Sequence, residues 1–521
     1  IIDLEGDNLG ARKTENVFAI QTPVAIAIGV RYDNAQPQTP AKVRYAKITG
    51  TSDEKYAKLD AIKKFADLEW QDCYDGWFEP FLPRGKGNYY AYPLLTDLFP
   101  WQHSGSQFKR TWPIGETADV LEARWHEFLR LDGSARRTAF RESRDRKVNE
   151  QYAALVGNER LPALSSLPAD APTPQITRYG FRTFDRQYAL VDSRIGDYLR
   201  PVFWKAHSDQ QIYFTSLIGG VLGLGPAAAI SACIPDLHYF CGRGGKDIIP
   251  LWRDAKASQA NLTGGLLGVL NPCLGEVTPE DFFAYCYALL STPAYVETFS
   301  EELTVPGPRV PVTKDRELFQ QAARLGRKLI WLHTYGERFV PSDQGRGEVP
   351  QGRARNPLAV PGEPENYPED FFYNETSEML RVGKGEFGPV SKAVWEFSVS
   401  DFHVVHSWLN YRMKDGAGRS SSALDEIRPQ QWTIGMTDEL LQLLWVLEAT
   451  IAMFPELEQT LEAVITGETF RADELPQPTA GERQPPSEEP SESEQGGEQE
   501  LKPQVKQWRK FDNRVYRKKR K

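Results

Sequence analysis

The stretch Arg178-Tyr179-Gly180-Phe181-Arg182-Thr183-Phe184-Asp185-Arg186-Gln187-Tyr188 interleaves cations with aromatic rings. An arginine offers a planar fork of donors that fits phosphate oxygens and guanine edges. Tyrosine and phenylalanine offer faces on which bases stack. The plainer reading is a strand pair whose Arg and Asp bridge over an aromatic core. A second stretch, His238 to Asp247, holds Arg243 and Lys246 in a glycine-rich loop. Flexible glycine lets backbone NH groups and cations approach an anion, although a hairpin turn needs the same residues. A third, Arg412 to Ser422, is a polar basic loop carrying Arg412, Lys414 and Arg419. Gly85-Lys86-Gly87 and Gly383-Lys384-Gly385 are weaker versions, read as turns.

Other chemistries lack their residues. The chain has no Gly-x-x-x-x-Gly-Lys-[Ser/Thr] phosphate loop and no Gly-x-Ser-x-Gly nucleophile elbow. His403 and His406, three apart, could face one way on a helix as metal ligands do, but the spacing dictates no acidic third ligand. They are read as packing or polar contacts. The five cysteines form no C-x-x-C pair, so no disulfide framework or zinc site is expected and a reducing cytoplasm is inferred. Ser216 to Ile234 runs 19 residues without a charge. Its glycines and Pro226 favour buried strand, turn and strand over a membrane span.

The elements that must hold these residues follow from periodicity. The 521 residues, 40% hydrophobic and 12% aromatic, suffice for packed cores. Residues 1–50 read as three strands in a sheet covered on both faces, with a kink at Pro23. Thr51 to Asp53 cap a helix running to about residue 65. Residues 70–115 are aromatic loops, 119–156 look helical with a basic middle, and 157–175 are a Pro- and Ala-rich linker taken as the main domain boundary. Short strands follow from Ile176 to about Asp254, then helices at Asp281–Leu290 and Arg316–Leu332 and a long loop at 341–370. Thr437–Phe454 is an amphipathic helix. After Pro476 low complexity implies disorder.

Charge is unevenly spread. Residues 473–500 carry −8 and 501–521 carry +9, which leaves −10 on 1–472 out of a net −9. An acidic body argues against a protein that coats nucleic acid, so a nucleic-acid site must be a local basic face.

In order along the chain, these segments resemble the C-terminal half of the single-polypeptide type I (type ISP) restriction-modification enzymes. IIDLEGD…NVFAIQTPVAIAIGVR, then VRYAKITGTSDEKYAKL, look like the last strands of an adenine-N6 methyltransferase sheet. RYGFRTFDRQY is similar to the family's Tyr-Arg-Pro-Phe-Asp-x-Arg signature, with Gly180 before Phe181 and Thr183 where proline is usual. IPDLHYFCGRGGKDIIPLWRD, FFAYCYALLSTPAYVETFSEEL, FQQAARLGRKLIWLHTYGERF and VWEFSVSDFHVVHSWLNYRMKDGAGRSSSALDEIRPQQWT follow in the family's order. Coverage is about residues 1–475.

The resemblance implies an α/β chain: terminal strands of a Rossmann-like methyltransferase sheet and a helical connector in 1–165, an α+β target-recognition domain in 166–475, and a disordered tail in 476–521. It implies double-stranded DNA as partner, with Arg178, Tyr179, Arg182, Phe184, Arg186, Arg243, Lys246, Arg412, Lys414 and Arg419 as candidate contacts. It implies S-adenosylmethionine in the complete enzyme. The catalytic (Asp/Asn)-Pro-Pro-(Tyr/Phe) motif is missing, the one Pro-Pro being Pro485-Pro486, so an upstream methyltransferase, motor and nuclease portion or a separate subunit must supply it. No membrane role is expected, and fragment 166–475 is expected to be more soluble than the whole chain. A protein-interaction scaffold is the alternative, and a carbohydrate-active protein using the Trp-rich loops at 70–101 is a remoter one.

Overall fold

The computed structural model describes residues 1–7, 13–31, 38–74, 76–77, 81–83, 88–157, 159–240, 246–416, 420 and 422–486. Residues 1–485 form one compact unit.

The N-terminal strands are much shorter than their apolar runs. β1 (Ile2–Asp3), β2 (Ala25–Ile26), β3 (Arg44–Lys47) and, after helix α1 (Ser52–Ala61), β4 (Gln71–Asp72) form a four-stranded sheet in the order β2-β1-β3-β4. β1 and β3 run parallel and the other neighbours antiparallel. A small core of Ile2, Leu4, Val17 and Ile48 lies beneath. The expected cover on both faces is absent among the described residues: Phe18, Ile20, Ile26, Ile28 and Val30 are exposed, Val30 at 70%. α1 begins where expected, on a capping box in which Thr51 and Glu54 satisfy each other's backbone NH.

Next come β5 (His103–Ser104) and β6 (Ile114–Gly115), then the helices α2 (Ala118–Arg130) and α3 (Gly133–Phe140). The helix expected over 119–156 stops at Phe140, because Arg141 takes a left-handed conformation (φ 57°) and returns its NH to Arg137 and Thr138. Two arginines near it, Arg136 and Arg110, turn inward as braces. Arg136 donates to the carbonyls of Leu129, Leu131 and Leu164, and Arg110 stacks on Phe140 and pairs with Asp197.

The hairpin β7 (Gln175–Arg182) and β8 (Asp185–Val191) joins β6 in a three-stranded sheet. No break in packing falls at 165/166. Trp112, Trp125 and Phe128 share one core with Tyr179, Leu190 and Leu424. β9 (Tyr213–Leu217), β10 (Ala228–Ser231) and β11 (Lys246–Pro250) form an antiparallel sheet with β5, so 216–234 is strand, turn and strand as expected.

The largest core surrounds α4 (Pro279–Leu290), α5 (Arg316–His333) and a 33-residue helix, α6 (Ile434–Thr466). Gly326 of α5 lets the backbones of α4 and α5 touch, since a Cβ there would overlap the Ala284 carbonyl. α6 outruns its expected limits and continues through Pro455. It is long and apolar enough to cross a membrane by length and composition, but Leu440, Leu443, Leu444, Leu447, Leu457 and Leu461 are buried in this core. A four-stranded sheet within 355–388 and the short helix Val404–Asn410 complete the body.

The disorder expected from 476 does not hold for its first residues. Glu482 accepts the Gly264 NH, Arg483 pairs with Asp97, and Arg253 donates to the carbonyls of Glu482 and Gln484. Residues 487–521, the rest of the expected tail, lie outside the described residues.

Candidate functional site: an arginine–aromatic hairpin

In the hairpin, Arg178 stands opposite Tyr188 and Gly180 opposite Arg186, with a register shift between Asp185 and Arg186. Such a bulge increases local twist and re-aims side chains. Two residues close the turn. The Thr183 hydroxyl donates to the Tyr239 carbonyl at 2.6 Å. Phe184, left-handed at φ 62°, sets its ring edge-on to His333, with centroids 4.8 Å apart. A left-handed phenylalanine is strained, and burial of its ring offsets that strain. Gly180 lies where a Cβ would crowd the Tyr239 ring at 3.2 Å, so β7 can donate its Gly180 NH to Ile234.

Each arginine guanidinium lies over an aromatic ring. The guanidinium carbon lies 4.1 Å from the Tyr188 centroid for Arg178, 4.0 Å from Phe181 for Arg182, 3.7 Å from Tyr335 for Arg186, and 3.7 Å from Trp408 for Arg412. This stacking fixes the donor forks and reduces the entropy lost when they bind. Their polar partners differ. Arg178 pairs with Glu439 at 2.6 Å, Arg182 with Asp236 at 3.1 Å, and Arg412 with Asp185 at 2.8 Å and Glu439 at 3.7 Å. Arg186 meets the neutral Gln442 amide at 3.3 Å and has no carboxylate partner among the described residues. The chain Arg178–Glu439–Arg412–Asp185 thereby ties the hairpin to α6. Burial pulls the Arg412 guanidinium down, but Asp185 and Glu439 outweigh it and hold the group above its ordinary pKa.

The plainer sequence reading therefore describes much of this site: arginines bridge carboxylates over aromatic rings. Three candidate contacts belong to the interior. Tyr179 is fully buried, its hydroxyl donating to the Asp236 carboxylate at 2.9 Å. Phe184 packs under the turn, and the Arg412 side chain has no exposed surface. Without surface, these three can hold the hairpin but cannot touch a ligand in this conformation. Arg178, Arg182 and Arg186 remain partly exposed, and Lys414 is exposed and pairs with Glu369 at 2.5 Å. Lys246 lies on β11 opposite Leu217. Arg243 and Arg419 lie outside the described residues. The His406 ring packs edge-on against Phe371, and its Nδ1 meets the Asn410 amide at 2.8 Å.

Sequence reasoning missed the groups that hold the arginines. Glu439 and Gln442 are three apart on α6, a spacing that puts them on one face toward the hairpin. It also missed an open cleft whose lining includes Glu116, Tyr367, Met413, Lys414, Arg428 and Gln430. These residues come from three distant segments, and no local pattern joins them.

Several small sheets around a helical core, with arginines set over aromatic rings on one hairpin, define a mixed α/β protein. A family model described as the Type ISP C-terminal specificity domain matches residues 97–443, and the chain belongs to that family. No curated protein matches it. Among solved structures, the DrdV–DNA complex is similar at 17% identity and TM-score 0.55, over 88% of this chain and 47% of that one. A nuclease-deletion mutant of the Type ISP restriction-modification enzyme LlaGI, in complex with a DNA substrate mimic, is similar at 16% and 0.52, over 87% and 36%. The ATP-dependent Type ISP enzyme LlaBIII bound to DNA is similar at 15% and 0.56, over 88% and 30%. The chain thus spans less than half of each of these proteins, and at such identities the likeness is one of fold.

Proposed function

We propose that this chain recognises a short double-stranded DNA sequence as the specificity part of a type ISP restriction-modification enzyme. The observation that carries the reading is the set of ring-stacked arginines inside the matched family region, 97–443. Arg186, free of any carboxylate partner among the described residues, is the readiest to meet DNA. Arg178 and Arg182 can exchange a carboxylate for a phosphate or a base edge as DNA docks, and Lys414 adds a phosphate contact at the margin. Arg243, Lys246 and Arg419 join the proposed set on sequence grounds. Tyr179, Phe184 and Arg412 position it from behind.

Residues 1–165 are proposed to be the end of a Rossmann-like methyltransferase domain with its connector, and the exposed Phe18, Ile28 and Val30 supply an apolar face for the catalytic part to cover. Among the described residues, the turn after β1 does not fit S-adenosylmethionine. Gly6, the first glycine after β1, spends its NH on Thr14 and its carbonyl on Asn16, and the Asn16 side chain occupies the space beside it. No methyl-transfer step is therefore assigned to this chain, and cofactor and catalytic motif would come from another part of a cytoplasmic enzyme. A gel-shift series with random duplex DNA over rising salt tests the reading. Binding that weakens steeply with salt and sharpens on selected sequences is expected, and absence of any duplex binding would overturn it.

A further inference from the structure

A second group of cations gathers on a tyrosine, apart from the arginines of the hairpin. The Lys109 ammonium lies 4.6 Å from the centroid of the Tyr198 ring and the Arg200 guanidinium carbon 5.3 Å. The Tyr198 hydroxyl donates to Asp145 at 2.7 Å, and Arg144 and Lys109 pair with that carboxylate at 2.8 and 3.5 Å. Arg200 gives its donors to neutral groups, the Gly105 carbonyl and the Ser104 hydroxyl. Arg146 gives its own to the Ser193 and Asp145 carbonyls, and lies 4.5 Å from the Tyr152 centroid. Lys147 is half-buried and has no carboxylate partner among the described residues. The other nearby acids are engaged: Glu142 with Arg137 and the Val148 NH, Glu150 with the Tyr152 hydroxyl, and Asp197 with Arg110. Five cations thus share one carboxylate in an otherwise acidic body. Lys109 and Arg200 also have left-handed backbones, at φ 58° and 59°, which a residue with a Cβ adopts only where its surroundings impose it.

The backbone connects this face to the hairpin. Gly180 of β7 bridges Pro235, Asp236 bridges Ser106, and Gln107 bridges Tyr198. Tyr198 therefore lies three strand spacings from β7, about 14 Å. Side chains alternate along each strand, so Arg182, Gln107 and Tyr198 leave one side of this ladder, opposite the buried Tyr179, Asp236 and Ser106. A major groove is about 12 Å wide. A duplex that presents its groove to the hairpin thus has a phosphate strand within reach of the Tyr198 face. Lysine supplies a point charge for phosphate and arginine a fork of donors, and Tyr198 and Asp145 hold both in place before DNA arrives. We propose that Lys109, Arg144, Lys147 and Arg200 bind the phosphate strand flanking the bases met at the hairpin, positioning the duplex without reading its sequence. The proposal rests on the function proposed above.

The test is a gel-shift salt series with the full chain, on a selected duplex and on random duplex DNA. It compares wild type, Arg144→Ala with Lys147→Ala, and the charge-conserving Arg144→Lys with Lys147→Arg. Each lost phosphate contact removes about one unit of salt slope. The alanine pair should therefore reduce the slope by about two and weaken binding equally on both duplexes. The base profile it selects from a randomised pool should stay that of wild type. The charge-conserving pair should keep the wild-type slope. The Arg144 side chain is 85% exposed, so the alanine pair should melt close to wild type. An unchanged slope in the alanine pair, with specific binding intact, overturns the inference and leaves the proposed function standing. An altered base profile does the same, because it makes the face a reader of sequence. Equal loss of slope in the charge-conserving pair, or a large loss of melting temperature in the alanine pair, assigns these residues to the fold and also overturns it. Absence of duplex binding by wild type overturns the proposed function, and the inference with it.

Discussion

At the scale of single residues, the arginines of the hairpin divide into braces and contacts. Arg412 is the brace. Its side chain is wholly buried, and Asp185 lies 2.8 Å away. Removing one partner of such a pair leaves an uncompensated charge in the interior, which costs about 3–5 kcal/mol. Asp185→Ala should therefore lower the urea midpoint sharply and abolish specific binding together with the fold. Arg186 is the contact, and Arg186→Ala should keep the wild-type melt while weakening DNA binding and reducing the salt slope by about one. An unchanged slope would remove Arg186 from the interface. A second residue-scale effect concerns the buried His333 and the half-buried His207. Burial pushes His333 down to about 3, and burial with the nearby Arg338 pushes His207 down to about 4. The unfolded chain, with histidines near 6.5, binds more protons than the folded one over this range, so stability falls as the pH drops from about 6.5 toward 4. Urea midpoints measured across that window should decline, and less steeply in His207→Gln.

At the scale of elements, the crossing of α4 and α5 separates glycines that cannot change from those that can. A Cβ on Gly326 would overlap the Ala284 carbonyl, a backbone atom that no rotamer change can move. Gly326→Ala should force the helices apart and lose on the order of 2–3 kcal/mol. Gly268, in the helix Leu266–Leu274, has nothing within 4 Å of its Cβ position, and Gly268→Ala should gain about 0.5–1 kcal/mol in the same denaturation assay. Elements of this kind were readable in sequence where the pattern is local. The cap of α1, the helices α4 and α5, the apolar face of α6 and the strand pair around Arg178 all follow from spacing and capping residues. The early stop of α3 was not readable, because Arg141 ends it through a left-handed backbone that no proline or glycine announces. Nor were the counter-ions, since Glu439 pairs with Arg178 across 261 positions and only the packed α6 brings them together. For the same reason the motif displayed the candidate arginines without revealing that Arg412, Tyr179 and Phe184 face inward.

At the scale of the molecule, the decisive question is where the chain can be cut. The Pro- and Ala-rich run at 157–175 looks like a linker, and a fragment starting at 166 would then be the better-behaved part. Packing says otherwise. Trp112, Trp125 and Phe128, all at most 1% exposed, form one core with Tyr179, Ala189 and Leu190 of the hairpin. Arg124 reaches from α2 to the Ile427 carbonyl, and Thr111 donates to Asp425, so 97–165 is bound to both ends of the recognition region. Residues 1–70 differ. Their core of Ile2, Leu4, Val17 and Ile48 is separate, and much of their remaining apolar surface is exposed. Deleting 1–165 strips several large rings from around Tyr179, each worth about 3–5 kcal/mol when lost from a core, which exceeds half the stability of an ordinary domain. Deleting 1–70 removes the small N-terminal core and its exposed apolar face together. Fragment 166–485 should therefore aggregate or melt without cooperativity, whereas 71–485 should melt cooperatively, stay soluble at higher concentration than the whole chain, and retain DNA binding. Calorimetry and light scattering on the two fragments decide it, and a cooperative transition in 166–485 would restore the boundary at the linker.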